Sequence, residues 1–197
     1  MRQGLNAWVC TILLLVAGCG GGGGSSAPEP PPPEPTVQQL NQASRLVSQA
    51  SFGVNWNELN AIARRGHEVW LEDQLGLPQS LHEPIVDDLV RRRDAGEFRD
   101  FEEDIELLAS FRRYAWWQSA ITADDQLRQR VAFALSEILV VGDTVDAFIV
   151  DPYALSTYYD VLLTHSFGNY RDLLLAVTLH PTMGIYLSHA NNRKADP

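Results

Sequence analysis

The sequence predicts an all-α fold, an irregular array of helices around a central helix at about residues 124–141. In the stretch LRQRVAFALSEILVV, apolar side chains recur with the spacing of one helix face, at Leu127, Val131, Ala134, Leu135 and Ile138. Residues typical of helix starts and ends flank other apolar-periodic segments on both sides of this stretch. Together these observations favour helices packed around one central helix.

The composition is that of a soluble globular chain with one core. Of the 197 residues, 45% are hydrophobic and 20% are charged. Acidic residues outnumber Lys and Arg by 25 to 15, which gives a formal net charge of −10. Because phosphate binding needs a basic surface, we expect no nucleic-acid partner.

Residues 1–18 are predicted to be a lipoprotein signal peptide. A short apolar run centred on residues 11–15 ends in Val16-Ala17-Gly18-Cys19 and is too short to span a bilayer as a mature helix. Val-Ala-Gly-Cys resembles a bacterial lipobox, in which cleavage leaves Cys19 as the first residue, carrying lipid. The alternative is an ordinary signal peptide with an incidental cysteine. By the same resemblance, Gly20 favours placement at the outer membrane or facing the periplasm in a Gram-negative source.

Residues 19–36 are predicted to be the lipidated cysteine and a disordered tether. The run GGGGGSSAPEPPPPEP has almost no apolar side chain to bury, and its Gly-Ser part is typical of a flexible coil and its Pro part of a stiffer spacer. The only other cysteine, Cys10, lies in the segment to be removed. The mature chain therefore has no disulfide framework and no CxxC metal site, and we expect no cofactor.

The folded part is predicted to span residues 37–197, with five helices ahead of the central one. Asn55 or Asn57 is placed to cap the second helix, Gly66 follows it, and Glu83-Pro84 is a typical helix start. The apolar periodicity places these helices at about residues 39–50, 58–65, 69–75, 84–96 and 98–121.

Trp116 and Trp117 lie in the last of these helices. Adjacent residues on a helix point about 100° apart. We therefore expect one ring in the core and the other between helices, and not a platform for a ligand.

The central helix carries two charged residues that are candidates for chemistry. Asp124 or Asp125 is expected to cap its start, and Gly142 to end it. Arg130 and Glu137 are seven positions apart, roughly 10 Å, so each needs partners on other helices. A half-buried Glu137 with a raised pKa would suit a general acid or base; a structural ion network is the alternative.

After a loop or lid at residues 142–150, further helices are predicted. Asp151-Pro152 starts one helix and Asn169 caps the next, which is nearly all apolar and is expected to lie beside the central helix. His180 and His189 flank the start of the last helix. They would be ligands or catalytic groups if they met Glu137 or Asp196, but no HExxH-like spacing exists, so we expect no metal. The alternative is that His180 caps a helix start.

Three stretches together resemble a known family. They are QASRLVSQASFG at 42–53, DQLRQRVAFALSEILVV at 125–141, and PYALSTYYDVLLTHSFGNYRDLLLAVTLHPTMGIYLSHANNRKADP at 152–197. Together they resemble the bacterial proteins of domain of unknown function 1800. The resemblance implies a large, mostly helical, exported protein without an established activity, so no catalytic residue carries over. It also implies that residues 37–197 are the N-terminal portion of a longer family domain.

The sequence therefore predicts an exported, lipid-anchored bacterial envelope protein with a non-catalytic binding or structural role. The membrane is its expected partner through the lipid on Cys19, together with a protein or a cell-envelope polymer. The alternative is an envelope hydrolase in which Arg130, Glu137, His180 and His189 border a cleft completed by a C-terminal portion. These residues are its candidate catalytic groups.

Overall fold

The structure is a computed structural model that describes residues 33–99, 104–189 and 192–193. The predicted signal peptide, Cys19 and the predicted tether as far as residue 32 lie outside these ranges. The described residues form helices and no strands, and none of these helices is long and apolar enough to cross a membrane. In chain order the helices are α1 Val37–Ala50, α2 Trp56–Arg65, α3 His67–Gly76, α4 Glu83–Asp94, α5 Asp104–Thr122, α6 Gln126–Ser136, α7 Asp146–Ile149, α8 Ala154–His165, α9 Tyr170–Leu179 and α10 Pro181–Tyr186.

Helices α1, α2 and α3 pack on one another, and α1 and α2 begin at local side-chain caps. The Thr36 hydroxyl accepts from the Gln39 amide, and the Gln39 side chain accepts from the Thr36 amide, which makes a capping box at α1. At α2, Asn55 Oδ1 accepts from the Glu58 amide at 2.9 Å, so Asn55 and not Asn57 is the cap. The three helices share a buried apolar cluster of Ala43, Val47, Ile62, Ala63 and Trp70.

Helix α4 has a start that is completed by a distant residue. The Asp160 carboxylate of α8 accepts from the His82 amide at 2.7 Å and from the Glu83 amide at 2.9 Å, two groups that have no partner within the helix. Asp160 therefore caps α4 and joins it to α8. Helices α4 and α5 bury a second cluster, composed of Val86, Leu89, Leu107, Phe111 and Ala115.

Helix α6 is the central element, as predicted, because it packs against α1, α3, α5 and α8. The predicted bounds of 124–141 are wrong: the helix ends at Ser136. After one irregular turn, Leu139 and Val141 pack on the cluster between α6, α8 and α9, whereas Ile138 and Val140 are exposed. The Ile138 and Leu139 amides both donate to the Leu135 carbonyl, at 3.1 and 2.8 Å, so the chain turns here, and the Tyr158 hydroxyl holds the turn by donating to the Leu139 carbonyl at 2.7 Å.

The predicted core face of α6 is only partly right, because Leu127 and Leu135 pack against buried clusters and the other predicted positions do not. Ala134 and Ile138 are exposed, and Leu127, Val131 and Leu135 are only half-buried. The residues that α6 buries are mostly polar and occupy its N-terminal turns, namely Gln126, Arg128, Gln129 and Ala132.

These buried polar side chains bond to the backbone of neighbouring segments. Gln126 Oε1 accepts from the Phe52 amide at 3.1 Å, and Gln129 Nε2 donates to the Ser80 carbonyl at 2.9 Å. They satisfy loop groups that would otherwise be buried without partners, which explains why a polar face can lie inside.

The start of α6 uses a cap from another helix. Asp125 is the N-cap residue, as expected, but its side chain does not cap; it accepts from the Ser80 amide instead. Gln74 of α3 takes over this function. Its Oε1 accepts from the Leu127 amide at 2.9 Å, and its Nε2 donates to the Asp124 carbonyl at 2.9 Å.

Helix α9 is not buried on all sides as its apolar sequence predicts. Its cap is Asn169, as expected, whose Oδ1 accepts from the Arg171 amide at 2.8 Å. The helix packs on α8 and α10 through Leu173 and Val177. Leu175 and Leu179 are 58% and 72% exposed, so α9 lies at the surface of the described helices.

Candidate functional site

Arg130 and Glu137 occupy different surroundings on α6. Arg130 Nε donates to the Gln49 carbonyl at 3.3 Å, and its guanidinium lies over the rings of Phe52 and Phe133 at 5.4 and 5.3 Å. It therefore stacks on aromatic rings and joins α6 to the end of α1. Glu137 is the C-cap residue of α6 and is exposed, not half-buried as the acid–base hypothesis requires.

The two histidines lie at opposite ends of α10. His180 is the N-cap: its Nδ1 accepts from the Thr182 amide at 3.3 Å, as the capping alternative predicted. Burial lowers the pKa of His180, and its ring meets Tyr158 edge-on at 5.5 Å. His189 is exposed in the turn after α10, where its amide donates to the Gly184 carbonyl at 2.8 Å.

No hydrogen bond or ion pair joins any two of Arg130, Glu137, His180 and His189 in the described ranges. In the same ranges no group of three His, Cys, Asp or Glu residues is placed to hold a metal ion. Asp196 lies outside the described residues. The side-chain contacts of Arg130 and His180 are those of helix packing and capping.

An aromatic groove lies between the α1–α2 turn and the last turns of α5. It has a volume of about 510 Å³. Its aromatic wall is made by Phe52, Trp116 and Trp117, with ring centroids 5.4 Å apart for Phe52 and Trp116 and 5.0 Å for the two tryptophans. Ile121 adds an aliphatic side chain that is 73% exposed. The remaining lining residues are Gly53, Val54, Asn55, Glu58 and Ala120.

The two tryptophans of this aromatic groove have different roles. Trp116 is half-buried, and its Nε1 donates to the Tyr159 hydroxyl at 3.2 Å, which fixes the ring. The expectation that the other ring fills a space between helices is wrong, because Trp117 is 61% exposed. Trp117 thus offers a large apolar face to solvent beside a fixed aromatic wall.

The fixed wall continues into the polar interior. The Tyr159 ring stacks on His82 with centroids 4.6 Å apart and planes 8° apart. Burial raises the pKa of Tyr159 to about 12, so its hydroxyl stays protonated at neutral pH. The rigid support behind Trp116 is therefore a neutral stack of rings at ordinary pH.

A second hollow, of about 640 Å³, shares Glu58 with the aromatic groove. Its charged lining residues are Glu58, Glu72, Asp73, Asp124 and Arg65. Arg65 is paired with Asp73. The other three carboxylates have no ion pair among the described residues, so this acidic hollow carries a local excess of negative charge.

The chain was compared with protein families, curated proteins and solved structures. The family model described as "Protein of unknown function (DUF1800)" matches residues 45–197. The chain belongs to this family. No curated protein and no solved structure matches it. Because the DUF1800 description names no activity, the function of this member has to be argued from its own residues.

In this DUF1800 protein the aromatic groove can be predicted only in part from the sequence. The pair Trp116-Trp117 was visible, but whether the second ring is covered depends on where α1 and α2 pack. One signal was available in principle: Ile121 follows Trp117 by four positions and lies on the same helix face, which makes a continuous apolar strip. The acidic hollow was not foreseeable, because its carboxylates come from three separate segments.

Proposed function

We propose that this DUF1800 member is an exported, lipid-anchored envelope protein that binds a partner polypeptide through the aromatic groove, in a non-catalytic role. The observation that supports the proposal best is the exposed Trp117 face beside a fixed aromatic wall. Exposed aromatic side chains on a rigid support are typical of the residues that dominate protein interfaces. The lipobox-like Val16–Cys19 and the Gly/Pro tether support the envelope placement.

The chemistry of the partner follows from the two adjoining hollows. The aromatic groove suits apolar or cationic side chains, since a cation over a tryptophan face is attracted by the ring. The acidic hollow, which shares Glu58 with the aromatic groove, also favours a positively charged side chain. The net charge of −10 extends this preference over the whole chain. An extended, basic segment with apolar side chains fits both hollows.

The lipid anchor can be tested with the only two cysteines of the chain. In the native host, labelling with an alkyne fatty-acid analogue is expected to mark the wild type and Cys10→Ala but not Cys19→Ala, because cleavage leaves only Cys19 to carry lipid. The readout is in-gel fluorescence of the enriched chain. Label that persists on Cys19→Ala would contradict the anchor.

The groove can be tested with two defined peptides. A labelled octapeptide of alternating Lys and Leu is expected to bind the full chain more tightly than its Glu-Leu counterpart. Trp117→Ala is expected to weaken the binding about tenfold, because it removes the exposed tryptophan ring of the groove. Fluorescence anisotropy at several salt concentrations measures both effects, and the charge contribution should fall as salt rises.

The matched control is Trp56→Ala, since Trp56 is 66% exposed and does not line the groove. This variant should bind the Lys-Leu peptide as the wild type does. Equal binding of both peptides, or an equal loss of affinity in Trp56→Ala, would refute specific binding of the peptide in the groove. Binding to purified peptidoglycan that Trp117→Ala weakens, without binding to the peptide, would show that the partner is a polymer and not a polypeptide.

A further inference from the structure

A separate cavity of about 760 Å³ lies between α5 and the segment at residues 143–155. This volume falls in the range of small-molecule sites in proteins. Its walls come from α5, from α7 and from the start of α8. The lining residues that bear on binding are Arg112, Arg113, Asp143, Phe148 and Leu155.

One side of the cavity is apolar and firmly placed. Phe148 is 3% exposed and Leu155 is 9% exposed. Leu108 and Ile149 complete this wall. An apolar molecule in the cavity would contact side chains that are already packed, so little further ordering would be needed.

The other side carries two arginines that share one carboxylate oxygen. Arg112 Nη2 lies 2.6 Å from Asp143 Oδ2, and Arg113 Nη2 lies 3.3 Å from the same atom. Two guanidinium groups against one carboxylate leave this cluster of three side chains with one positive charge, while Glu106 and Asp151 elsewhere in the lining add two negative charges. The side chain of Arg112 is 28% exposed, and burial lowers its pKa, although Asp143 acts in the opposite direction. Its charge is therefore only partly compensated and partly hydrated.

Arg112 also has unused donors. Its contact with Asp143 engages Nη2, and the remaining N–H groups have no hydrogen-bond partner among the described residues. A planar guanidinium with free donors matches the two oxygens of a carboxylate.

The other two acids of the lining do not occupy these donors. Asp151 Oδ1 accepts from the Tyr153 and Ala154 amides at 2.8 and 3.2 Å, which commits it to the start of α8. Glu106 is exposed. Asp143 nevertheless remains close to the arginines, so a second negative charge on a ligand would be repelled.

We propose that this cavity binds a small molecule with a single carboxylate and an apolar body, the carboxylate on Arg112 and the body against Phe148 and Leu155. This site is distinct from the aromatic groove and does not depend on it. The Arg112, Arg113 and Asp143 cluster has a single positive charge in excess, and Glu106 and Asp151 also lie in the lining, so a monocarboxylate is favoured over a phosphate monoester of higher negative charge. The apolar wall favours an aliphatic or aromatic acid over a sugar acid.

The test uses decanoate and decanol as probes of equal chain length. Isothermal titration of the full chain carrying Cys19→Ala, which removes the lipid, is expected to give binding of decanoate about tenfold tighter than binding of decanol. Arg112→Gln is expected to reduce decanoate affinity to that of decanol and to leave decanol unchanged. The matched control is Arg64→Gln, because Arg64 is a comparably exposed arginine paired with Glu34 outside the cavity.

The outcomes separate clearly. Equal affinity for the two probes, no saturable decanoate binding up to roughly 1 mM, or an unchanged decanoate affinity in Arg112→Gln would overturn the proposal. If Arg112→Gln does not unfold cooperatively, Ala109→Trp decides instead, since it fills the cavity from α5. Loss of decanoate binding in Ala109→Trp supports the site, and retention refutes it.

Discussion

Replacing Asp125 with alanine is expected to lower the free energy of unfolding by about 3–5 kcal/mol, because it leaves Arg128 as a buried charge without its carboxylate. Asp125 has no exposed surface and Arg128 is 7% exposed, with Arg128 Nε 3.5 Å from Asp125 Oδ2. The substitution also removes the acceptor of the Ser80 amide and of Gln129 Nε2. Urea denaturation of the full chain measures the loss.

The double variant Asp125→Ala with Arg128→Met shows which part of this loss is electrostatic. It removes the unpaired charge, so it is expected to recover about 1–2 kcal/mol relative to Asp125→Ala alone. The control is Asp88→Ala, which breaks exposed pairs with Arg91 and Arg92 and is expected to lower the stability by less than about 1 kcal/mol. A loss in Asp125→Ala no larger than that of Asp88→Ala would show that the buried pair contributes little.

The neighbouring pair of His82 and Asp160 is expected to give stability two opposing dependences on pH. Burial lowers the pKa of His82 to about 4. A hydrogen bond with Gln129 acts to raise this pKa, and the positive charge of Arg112 acts to lower it. His82 therefore contributes stability above its ordinary pKa of 6.5, and this is lost as pH falls towards 4. Burial raises the pKa of Asp160 to about 6, although its backbone N–H donors oppose this. Asp160 therefore contributes stability below 3.8 that is lost as pH rises through 6.

Two variants separate these contributions. Relative to the wild type, His82→Phe is expected to gain up to about 3 kcal/mol as pH falls from 6.5 to 4, because the ring can still stack on Tyr159 but no longer binds a proton when the chain unfolds. Asp160→Asn is expected to lose about 2 kcal/mol relative to the wild type as pH falls from 6 to 4. Urea denaturation at four or more pH values gives both differences. Slopes of the same sign in the two variants would contradict this assignment.

The parts of the fold that the sequence predicts well are those decided by neighbouring residues. Asn55 and Asn169 cap helices because a short side chain reaches an amide two or three positions on, whatever packs nearby. The end of α6 was missed because Ile138-Leu139-Val140-Val141 is apolar throughout. A continuous apolar run does not mark where a helix ends, and here the helix gives way to a turn whose Leu139 carbonyl accepts from the Tyr158 hydroxyl.

The candidate site could be predicted less well, because it depends on contacts between distant segments. Arg130 and Glu137 drew attention as charges in an apolar helix, yet one stacks on aromatic rings and the other faces solvent. The polar side chains that α6 does bury, Gln126 and Gln129, carry no local signal of burial. Only the backbone of the loops around them shows that they are needed inside.

The distant caps of α4 and α6 bear on how the chain reaches its native state. The first amides of α6 depend on Gln74, which lies 53 positions before Leu127, and those of α4 on Asp160, which lies 78 positions after His82. Short helices are marginal on their own in water. Neither helix start is complete until α3 and α8 are in place, so these four helices gain their stability together and folding through them is cooperative and governed by non-local contacts.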